Sequence, residues 1–287
     1  MMQSEKIAVA GSAEMRPSYL ALDEAALGQA GHAGLWNDRF CNSYGPAGAK
    51  PDADGWKATW LATVSGGRGD AAQLREHAAS IEKYVRARAG ALAVGHCAWR
   101  FVSGTGLPHP TETGLAWHHT LAVPWLPGEA VKGLLQAWLF NNRDHEAAKA
   151  LAQQDAYLFG SKNVRKPSMG ALVFHGGFPV EPVTIVVDVV KPEHPGFMEG
   201  GAHAPPADYD TPIAAHFLSV ESGRWMFPVV PARRGDGEAV RLLSFVMAAL
   251  KCALAGEGSG GGAGARTSAG YGYFGGWESG TVPGDLT

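Results

Sequence analysis

Apolar residues recur at helical spacing in several long stretches of the chain, and this spacing predicts where its helices lie. It predicts helices over 70–89, 126–142 and 238–256, and a more polar helix over 144–160. The first two each have one apolar stripe, formed by Leu74, Ala78, Ile81 and Val85 and by Val131, Leu134, Leu135, Trp138 and Leu139. Such a stripe is typical of a helix that packs one face on a core.

Between these helices, runs of β-branched and aromatic residues predict strands. The predicted strands cover 55–64, 98–104, 113–123, 171–177, 183–190, 213–221 and 224–230. Strands interleaved with single helices favour an α+β fold. We expect it to be ferredoxin-like (RRM-like), with an antiparallel sheet, helices packed on one face and loop insertions.

The pattern also divides the chain into a body and less regular parts. Residues 1–54 form a poorly patterned N-terminal segment, and the aromatics within 34–45 are expected to dock it on the body. Residues 55–287 are predicted to form one domain. Within it, 191–212 is full of Pro and Gly and predicts a protruding loop, since so long an aperiodic stretch is usually functional. A glycine-rich loop follows the last helix, at 256–272.

Composition narrows the class of protein. With 46% hydrophobic and 18% charged residues, the 287-residue chain is typical of globular proteins. It has no apolar run of roughly 18 residues that could cross a membrane and no signal-peptide pattern, so neither a membrane partner nor secretion is predicted. Cys41, Cys97 and Cys252 are widely spaced, which suits a reducing cytoplasm and argues against a disulfide framework or a zinc site.

The charge balance weighs against a freestanding nucleic-acid binder. The formal net charge is −3 and the pI is about 6.4, whereas such proteins usually carry a basic excess. Any nucleic-acid function therefore requires a local basic patch or binding that is shared within an assembly.

The segment GSGGGAGARTSAGYGYF, at 258–274, concentrates seven glycines beside a single arginine. Glycine loses more conformational freedom on folding than any other residue, so this density needs a reason. A dinucleotide loop is disfavoured because a helix precedes the segment, and no Walker A string occurs, so no cofactor is predicted. A plain linker is disfavoured because only a short aromatic tail follows. A loop that lies against another extended backbone fits best.

We interpret this loop as a cradle for an RNA backbone. Successive glycine N–H groups can form an anion-binding nest, and Arg266 can form paired hydrogen bonds to a phosphate. Pro127-Gly128, at a predicted helix start, offers free N–H groups to a second anion, with Lys132 close by. For Tyr271, base stacking and anchoring of the returning chain both remain open. The predicted RNA-binding residues are Gly128, Lys132, Gly262, Gly264, Arg266, Thr267, Ser268, Gly270 and Tyr271.

The histidines and carboxylates are scattered along the sequence. His118 and His119 are adjacent, so they would face opposite sides of a strand, and no HExxH motif occurs. His109 or His119 could act as a general base in RNA cleavage, but packing or surface roles are the simpler interpretation. No catalytic residue and no metal ligand are predicted.

Two segments together resemble the repeat-associated RAMP proteins of CRISPR systems. The segment TGLPHPTETGLAWHHTLAVPWLPGEAVKGLL (105–135) is similar to the strand, Pro-Gly turn and Lys-Gly helix start of that superfamily. The segment GAGARTSAGYGYF (262–274) is similar to its C-terminal loop, Gly-x-Gly-x-Lys-Thr-x-x-Gly-Tyr-Gly. The string LFGSKNVRKPSMGALVFHGGFPV (158–180) resembles most the sixth-subunit family of the type III-B (Cmr) effector complex.

The resemblance implies a ferredoxin-like core that binds guide RNA near its 3′ end and packs against neighbouring RAMP subunits in a filament. The implied partners are the guide (CRISPR) RNA, the target RNA, the repeated backbone RAMP subunit and the small helical subunit. In such complexes an aspartate of the backbone subunit cuts the target, so a non-catalytic subunit is implied here. The alternative is a metal-independent RAMP endoribonuclease that processes guide precursors, because that class shares the glycine loop.

The chain departs from the superfamily pattern at three places. Arg266 stands for the lysine of the loop, which keeps the charge. Glu129-Ala130 stands for the usual Ser-Ser, which removes a hydroxyl donor and adds a negative charge, and Gln136 stands for an arginine. Phosphate contact is therefore better supported at the loop than at the helix start.

Overall fold

The computed structural model describes residues 31–39, 41, 55–161, 167–190 and 214–278. Its helices are α1 (Ala33–Arg39), α2 (Trp56–Val64), α3 (Ala71–Ala87), α4 (Gly128–Asn141), α5 (Glu146–Lys149), α6 (Asp155–Phe159) and α7 (Gly237–Ala255). Its strands are β1 (Gly66–Arg68), β2 (Ala91–Cys97), β3 (Gly160–Ser161), β4 (Ser168–Met169), β5 (Leu172–Phe174), β6 (Phe178–Pro179), β7 (Val183–Val190), β8 (Ala215–Ser222), β9 (Arg224–Pro231) and β10 (Phe274–Gly275). Over these described ranges, no helix has the length and apolar character needed to span a membrane.

Strand pairing builds one five-stranded sheet in which every pair is antiparallel. Its order is β10-β2-β9-β5, and β6 also pairs with β9. The most extensive pairing joins β2 to β9, with Ala93 opposite Phe227. A second antiparallel sheet has the order β1-β7-β8, and the short strands β3 and β4 pair with each other. The predicted α+β fold with an antiparallel sheet is confirmed.

The two faces of the five-stranded sheet are covered by different helices. Successive side chains of β9 point to opposite faces. Phe227 and Val229 belong to the main core together with α7, whereas Met226 and Val230 join a smaller cluster with α3. Helices α7 and α4 thus form the expected layer on one face, and α3 adds a layer on the other. This double coverage explains why β9 is apolar throughout and not alternating.

Most strongly periodic segments form the predicted elements. The helices predicted over 70–89, 126–142 and 238–256 are α3, α4 and α7, and the strands predicted over 171–177, 183–190, 213–221 and 224–230 are β5, β7, β8 and β9. Helix α3 begins where the Asp70 side chain accepts hydrogen bonds from the N–H groups of Ala72 and Gln73. Helix α7 is capped in the same way by Asp236. These caps satisfy donors that the first helical turn leaves free.

The segment 55–64, predicted as a strand, forms the helix α2. Periodicity alone does not separate a strand from a buried helix in short apolar runs. Here Trp60, Leu61 and Val64 are all buried, and Trp60 stacks on Trp36 of α1 with 5.7 Å between ring centroids. Tertiary packing therefore selects the helix, and the strand prediction is wrong.

The strands predicted over 98–104 and 113–123 are also wrong. These residues make isolated bridges, Phe101 with Val220 and Trp117 with Pro124. The regular strand before them is β2, whose sequence ALAVGHC has little β-branched character. Pairing with β9 and burial on both faces stabilise β2 in spite of its weak local propensity.

The polar helix predicted over 144–160 is divided into α5 and α6. A turn separates the two short helices. Ala148 in α5, Leu151 in the turn and Leu158 in α6 are all buried. The segment therefore contacts the core on both sides of the turn.

The predicted N-terminal segment is described only at 31–39 and 41. There the His109 Nε2 lies 3.0 Å from both the carbonyl oxygen and the side-chain amide nitrogen of Asn37 and can bond to either, which joins α1 to the body. The domain division after residue 54 remains a prediction. The predicted protruding loop at 191–212 lies outside the described residues, as do 1–30 and 42–54.

Candidate nucleic-acid interface

The glycine-rich loop that follows α7 is held against residues 100–102. The Ala265 N–H donates to the Val102 carbonyl at 2.8 Å, and the Gly272 N–H donates to the Arg100 carbonyl at 2.6 Å. A third bond closes the loop on itself, from the Ala263 N–H to the Gly272 carbonyl at 2.8 Å. The loop is therefore a folded element with its own hydrogen bonds, and it is not a linker.

Two of its glycines are required by this close approach. A Cβ on Gly264 would lie 2.2 Å from the Val102 carbonyl oxygen, and one on Gly272 would lie 1.8 Å from the Ala263 carbonyl oxygen. Both residues have positive φ, at 82° and 77°, where L side chains are disfavoured. The glycines thus let the loop approach backbone, as expected, but the backbone in contact is the protein's own. Approach of an RNA backbone to the same loop remains a prediction.

Arg266 lies at the turn of the loop, and no described side chain forms a hydrogen bond or an ion pair with its guanidinium. Its guanidinium carbon is 4.4 Å from the centroid of the Phe217 ring, a cation–π contact that orients the side chain. Its φ is 61°, a left-handed conformation that a non-glycine residue adopts infrequently. Among the residues that the structure describes, no carboxylate forms an ion pair with it. The five N–H donors of the fork are therefore available to a phosphate.

The other predicted loop residues lie around Arg266. Thr267 begins a short 3₁₀ turn, and its carbonyl accepts a hydrogen bond from the Tyr273 hydroxyl at 3.0 Å. Ser268 is exposed. Gly262 lies beside Thr267, and Gly270 lies beneath the Trp99 ring, where a Cβ would be 3.5 Å from the indole.

Tyr271 is an anchor of the loop and does not offer a stacking surface. It is 7% exposed, and its hydroxyl donates to the Asp188 carboxylate on β7. Its ring packs on Trp99 and Phe217, with centroid distances of 5.0 and 6.1 Å. Of the two roles left open for Tyr271, the structure favours anchoring, because a base could not reach the buried ring. Its place among the predicted RNA contacts stays a prediction.

Asp188 ties the loop to the second sheet through two donors. The Arg100 guanidinium and the Tyr271 hydroxyl both donate to the same carboxylate oxygen. Burial raises the pKa of the Asp188 carboxyl, but these two hydrogen bonds, the hydrogen bond from the Val189 N–H and the charge of Arg100 together leave the pKa below its ordinary value. Burial and the bond to Asp188 raise the pKa of Tyr271. The carboxylate is thus ionised at neutral pH and holds both partners in place.

The helix-start residues occupy the far end of α4 from the loop. A Cβ on Gly128 would lie 2.1 Å from the Phe174 carbonyl oxygen, so its small size serves packing against β5. Lys132 Nζ donates to the Phe159 carbonyl at 2.7 Å, at the end of α6. The other end of α4 meets the glycine loop, where Asn142 donates to the Ser259 carbonyl. With a rise of about 1.5 Å per residue, Lys132 lies about 15 Å along the axis from Asn142. Lys132 and the start of the glycine loop therefore lie at opposite ends of α4.

Sequence reasoning missed three residues at this site, Trp99, Arg100 and Asp188. Trp99 is 50% exposed, and the Arg100 guanidinium carbon is 5.4 Å from its ring centroid. A strand over 98–104, as predicted, would place Trp99 and Arg100 on opposite faces of a sheet. That prediction therefore gave no reason to pair the two side chains. An aromatic residue next to an arginine, just before a loop, was the available sequence signal.

A sequence model of the RAMP superfamily matches residues 66–275, which include the sheet, α7 and the glycine loop. The chain belongs to the RAMP superfamily. No curated protein matches it.

Two solved structures illustrate the likeness of this RAMP protein to known ones. One is a chain of the type III-B Cmr-beta complex bound to cognate target RNA, with a TM-score of 0.56 and 16% identity. That match covers 79% of this chain and 72% of the other, and at this identity it shows a shared fold. The second is Cmr6 from Pyrococcus furiosus, with 21% identity and a TM-score of 0.34. That match covers 64% of this chain and 97% of the other.

His109, His118 and His119 all make contacts within the described part of this RAMP protein. His109 is 3% exposed in its side chain, and its Nδ1 is 2.7 Å from the Thr111 hydroxyl. The His118 ring packs on His77 and Trp125, and burial, followed by neighbouring histidines, lowers the pKa of His118. The backbone carbonyl of His119 contacts the ring of His32. These contacts explain the histidines structurally, and the expectation of no catalytic residue stays a prediction.

Three side chains at the start of the glycine loop have the composition of a metal site. The candidate ligand atoms of His145, Cys252 and Glu257 lie within 4.8 Å of one another. Burial raises the pKa of the Cys252 thiol to about 11, and a hydrogen bond to Glu257 acts in the same direction. His145 Nδ1 accepts the Ala147 N–H at 3.2 Å as the cap of α5. The expectation that the chain has no metal ligand stays a prediction at this cluster.

Proposed function

We propose that this RAMP protein is a non-catalytic RNA-binding subunit of a type III-B CRISPR (Cmr) ribonucleoprotein, corresponding to its sixth subunit. In this proposal it works in the cytoplasm, holds the 3′ part of the guide RNA and contributes to the filament that binds target RNA. Its protein partners are the repeated backbone RAMP subunit and the small helical subunit.

The observation that carries the proposal is Arg266 on a loop of fixed shape. Phe217 orients the guanidinium from below, and the loop backbone is hydrogen-bonded to residues 100–102 on either side of it. A planar fork of donors held in this way suits a phosphate oxygen pair. Exposed Ser268 adds a hydroxyl donor beside it.

Two further findings support the same function. The chain belongs to the RAMP superfamily, and its fold is similar to that of a chain from a Cmr-beta complex bound to cognate target RNA. A net charge of −3 argues against tight binding by the isolated chain. We therefore propose that affinity is shared between subunits, with Arg266 as this subunit's main phosphate contact.

Gly128 and Lys132 have a secondary place in the proposal. Lys132 gives one of its three N–H donors to the Phe159 carbonyl, which leaves two for a phosphate. Lys132 lies about 15 Å along the α4 axis from Asn142, which binds the start of the glycine loop at Ser259. We therefore propose that Lys132 contacts a phosphate of its own.

The test is RNA binding by Arg266→Gln across a salt series, with the isolated protein and within the reconstituted complex. Glutamine keeps much of the side-chain length and removes the charge. Loss of a charged hydrogen bond should weaken binding by about 1.5–3 kcal/mol. The slope of log K against log salt should become shallower by about 0.7, the contribution of one phosphate in a single strand.

Arg241→Gln is the matched control, since Arg241 is exposed on α7 and paired with Glu238. It should leave the affinity and the salt slope unchanged. Equal behaviour of the two variants would refute the proposed role of Arg266. Specific cleavage of repeat RNA by the pure protein in EDTA would instead favour the endoribonuclease alternative.

A further inference from the structure

Trp99 is the one tryptophan of the nine in this chain that is strongly exposed, and the protein holds it in place from one side. Half of its surface is accessible to solvent, whereas the others are buried or half-buried. Its inner side packs on the Tyr271 ring, 5.0 Å away between centroids, and above Gly270. The indole is thus supported on one side and open on the other, an arrangement in which a second planar group can stack on it.

The surroundings of this indole favour a nucleic-acid base as that ligand. The Arg100 guanidinium carbon lies 5.4 Å from the Trp99 ring centroid, and Asp188 holds Arg100 in position. Three ring contacts, of 5.0, 6.1 and 4.4 Å, link Trp99 through Tyr271 and Phe217 to the guanidinium of Arg266. These successive contacts keep the exposed indole and the Arg266 guanidinium within the span of a few nucleotides of one bound strand.

We propose that the exposed face of Trp99 stacks on an unpaired base of the RNA strand whose backbone Arg266 contacts. This inference rests on the proposed function and adds a base-binding subsite to it. Every base offers a π face, so the subsite accepts any base of a single strand and carries no strict sequence preference. Arg100, held against the indole by Asp188, stiffens the platform, and Tyr271 supports it from beneath.

Burial of Tyr271 gives the subsite its geometry. The tyrosine hydroxyl is fixed on Asp188 of β7, and its ring is fixed between Trp99 and Phe217. These contacts fix the orientation of the indole and of its exposed face in the protein without bound RNA. A rigid aromatic surface loses little conformational freedom when a base covers it, which favours binding.

The experiment compares Trp99→Leu and Trp99→Phe with wild type in binding to a short unstructured RNA and to a series of that RNA with single abasic sites. Loss of one base–aromatic stack should weaken the binding of Trp99→Leu by about 5- to 150-fold. Trp99→Phe should retain most of the affinity. An abasic site at one position of the RNA should weaken binding by wild type but not by Trp99→Leu. The slope of log K against log salt should be the same for both proteins, because Trp99→Leu removes no phosphate contact.

Phe140→Leu is the matched control. Phe140 is an exposed aromatic on α4 with the Arg143 guanidinium carbon 4.6 Å from its ring centroid, and it should not affect RNA binding. A shallower salt slope in Arg266→Gln combined with wild-type RNA affinity in Trp99→Leu would overturn the stacking subsite and leave the proposed function standing. No effect in either variant would contradict the proposed function itself. Failure of Trp99→Leu to join the complex, with RNA affinity intact, would assign the indole to a protein partner and overturn the subsite.

Discussion

Gly272→Ala tests whether the glycine loop needs its close backbone approach. An alanine Cβ at this position would lie 1.8 Å from the Ala263 carbonyl oxygen, so one segment must move by more than an ångström. That movement disrupts two hydrogen bonds of residue 272. Its N–H donates to the Arg100 carbonyl, and its carbonyl accepts from the Ala263 N–H. With a φ of 77°, the alanine also carries a left-handed conformational cost of about 1–2 kcal/mol.

The chain offers a control that separates these two effects. Gly235 has the same φ of 77°, but a Cβ there meets no heavy atom within 4 Å. Gly235→Ala should therefore lose only the conformational part, about 1–2 kcal/mol. Gly272→Ala should lose about 1–3 kcal/mol more, because two net hydrogen bonds of about 0.5–1.5 kcal/mol each are broken.

The assay is equilibrium unfolding in urea together with amide hydrogen exchange. The exchange of the Ala263 and Ala265 amides should accelerate in Gly272→Ala and not in Gly235→Ala, because only the first variant disturbs the loop. RNA affinity should fall with the first variant as well, since Arg266 loses its fixed position. Equal unfolding free energies for the two variants would refute this account of the loop.

The remaining predictions concern Asp188 and the cysteines. Asp188→Asn should lower the free energy of unfolding by about 1–3 kcal/mol, since charge-assisted bonds from Arg100 and Tyr271 are weakened, whereas Glu221→Gln on the neighbouring strand should change little. Because the pKa of Asp188 is lower in the folded state than in the unfolded state, its stabilisation is complete above the unfolded pKa and is lost as the pH falls through the folded value. Urea titrations between pH 7 and pH 3 should therefore show a steeper loss for wild type than for Asp188→Asn, and parallel curves would contradict the assignment. Burial raises the pKa of Cys97 and Cys252 to about 11, so both thiols should alkylate slowly at pH 8, and rapid labelling of either would contradict this.

The regular elements differ in how far the sequence determined them. Helices α3 and α7 have long apolar stripes and Asp caps, and both follow from local information. The segment 55–64 and the stretch around β2 do not, because their conformation depends on contacts with distant parts of the chain. The segment around Trp60 forms a helix that packs on Trp36. The alanine-rich segment β2 forms a strand because it pairs with β9.

By itself, the sequence determined the class of fold, its superfamily and the position of the glycine loop with Arg266, since these depend on local pattern and composition. Only the tertiary structure decided what the loop residues do. It placed Gly264 and Gly272 against the protein's own backbone, buried Tyr271 on Asp188 and left Trp99 exposed beside Arg100. These outcomes arise from residues far apart in the chain, and burial and hydrogen-bond partners at such separations are set by packing, which no local pattern encodes.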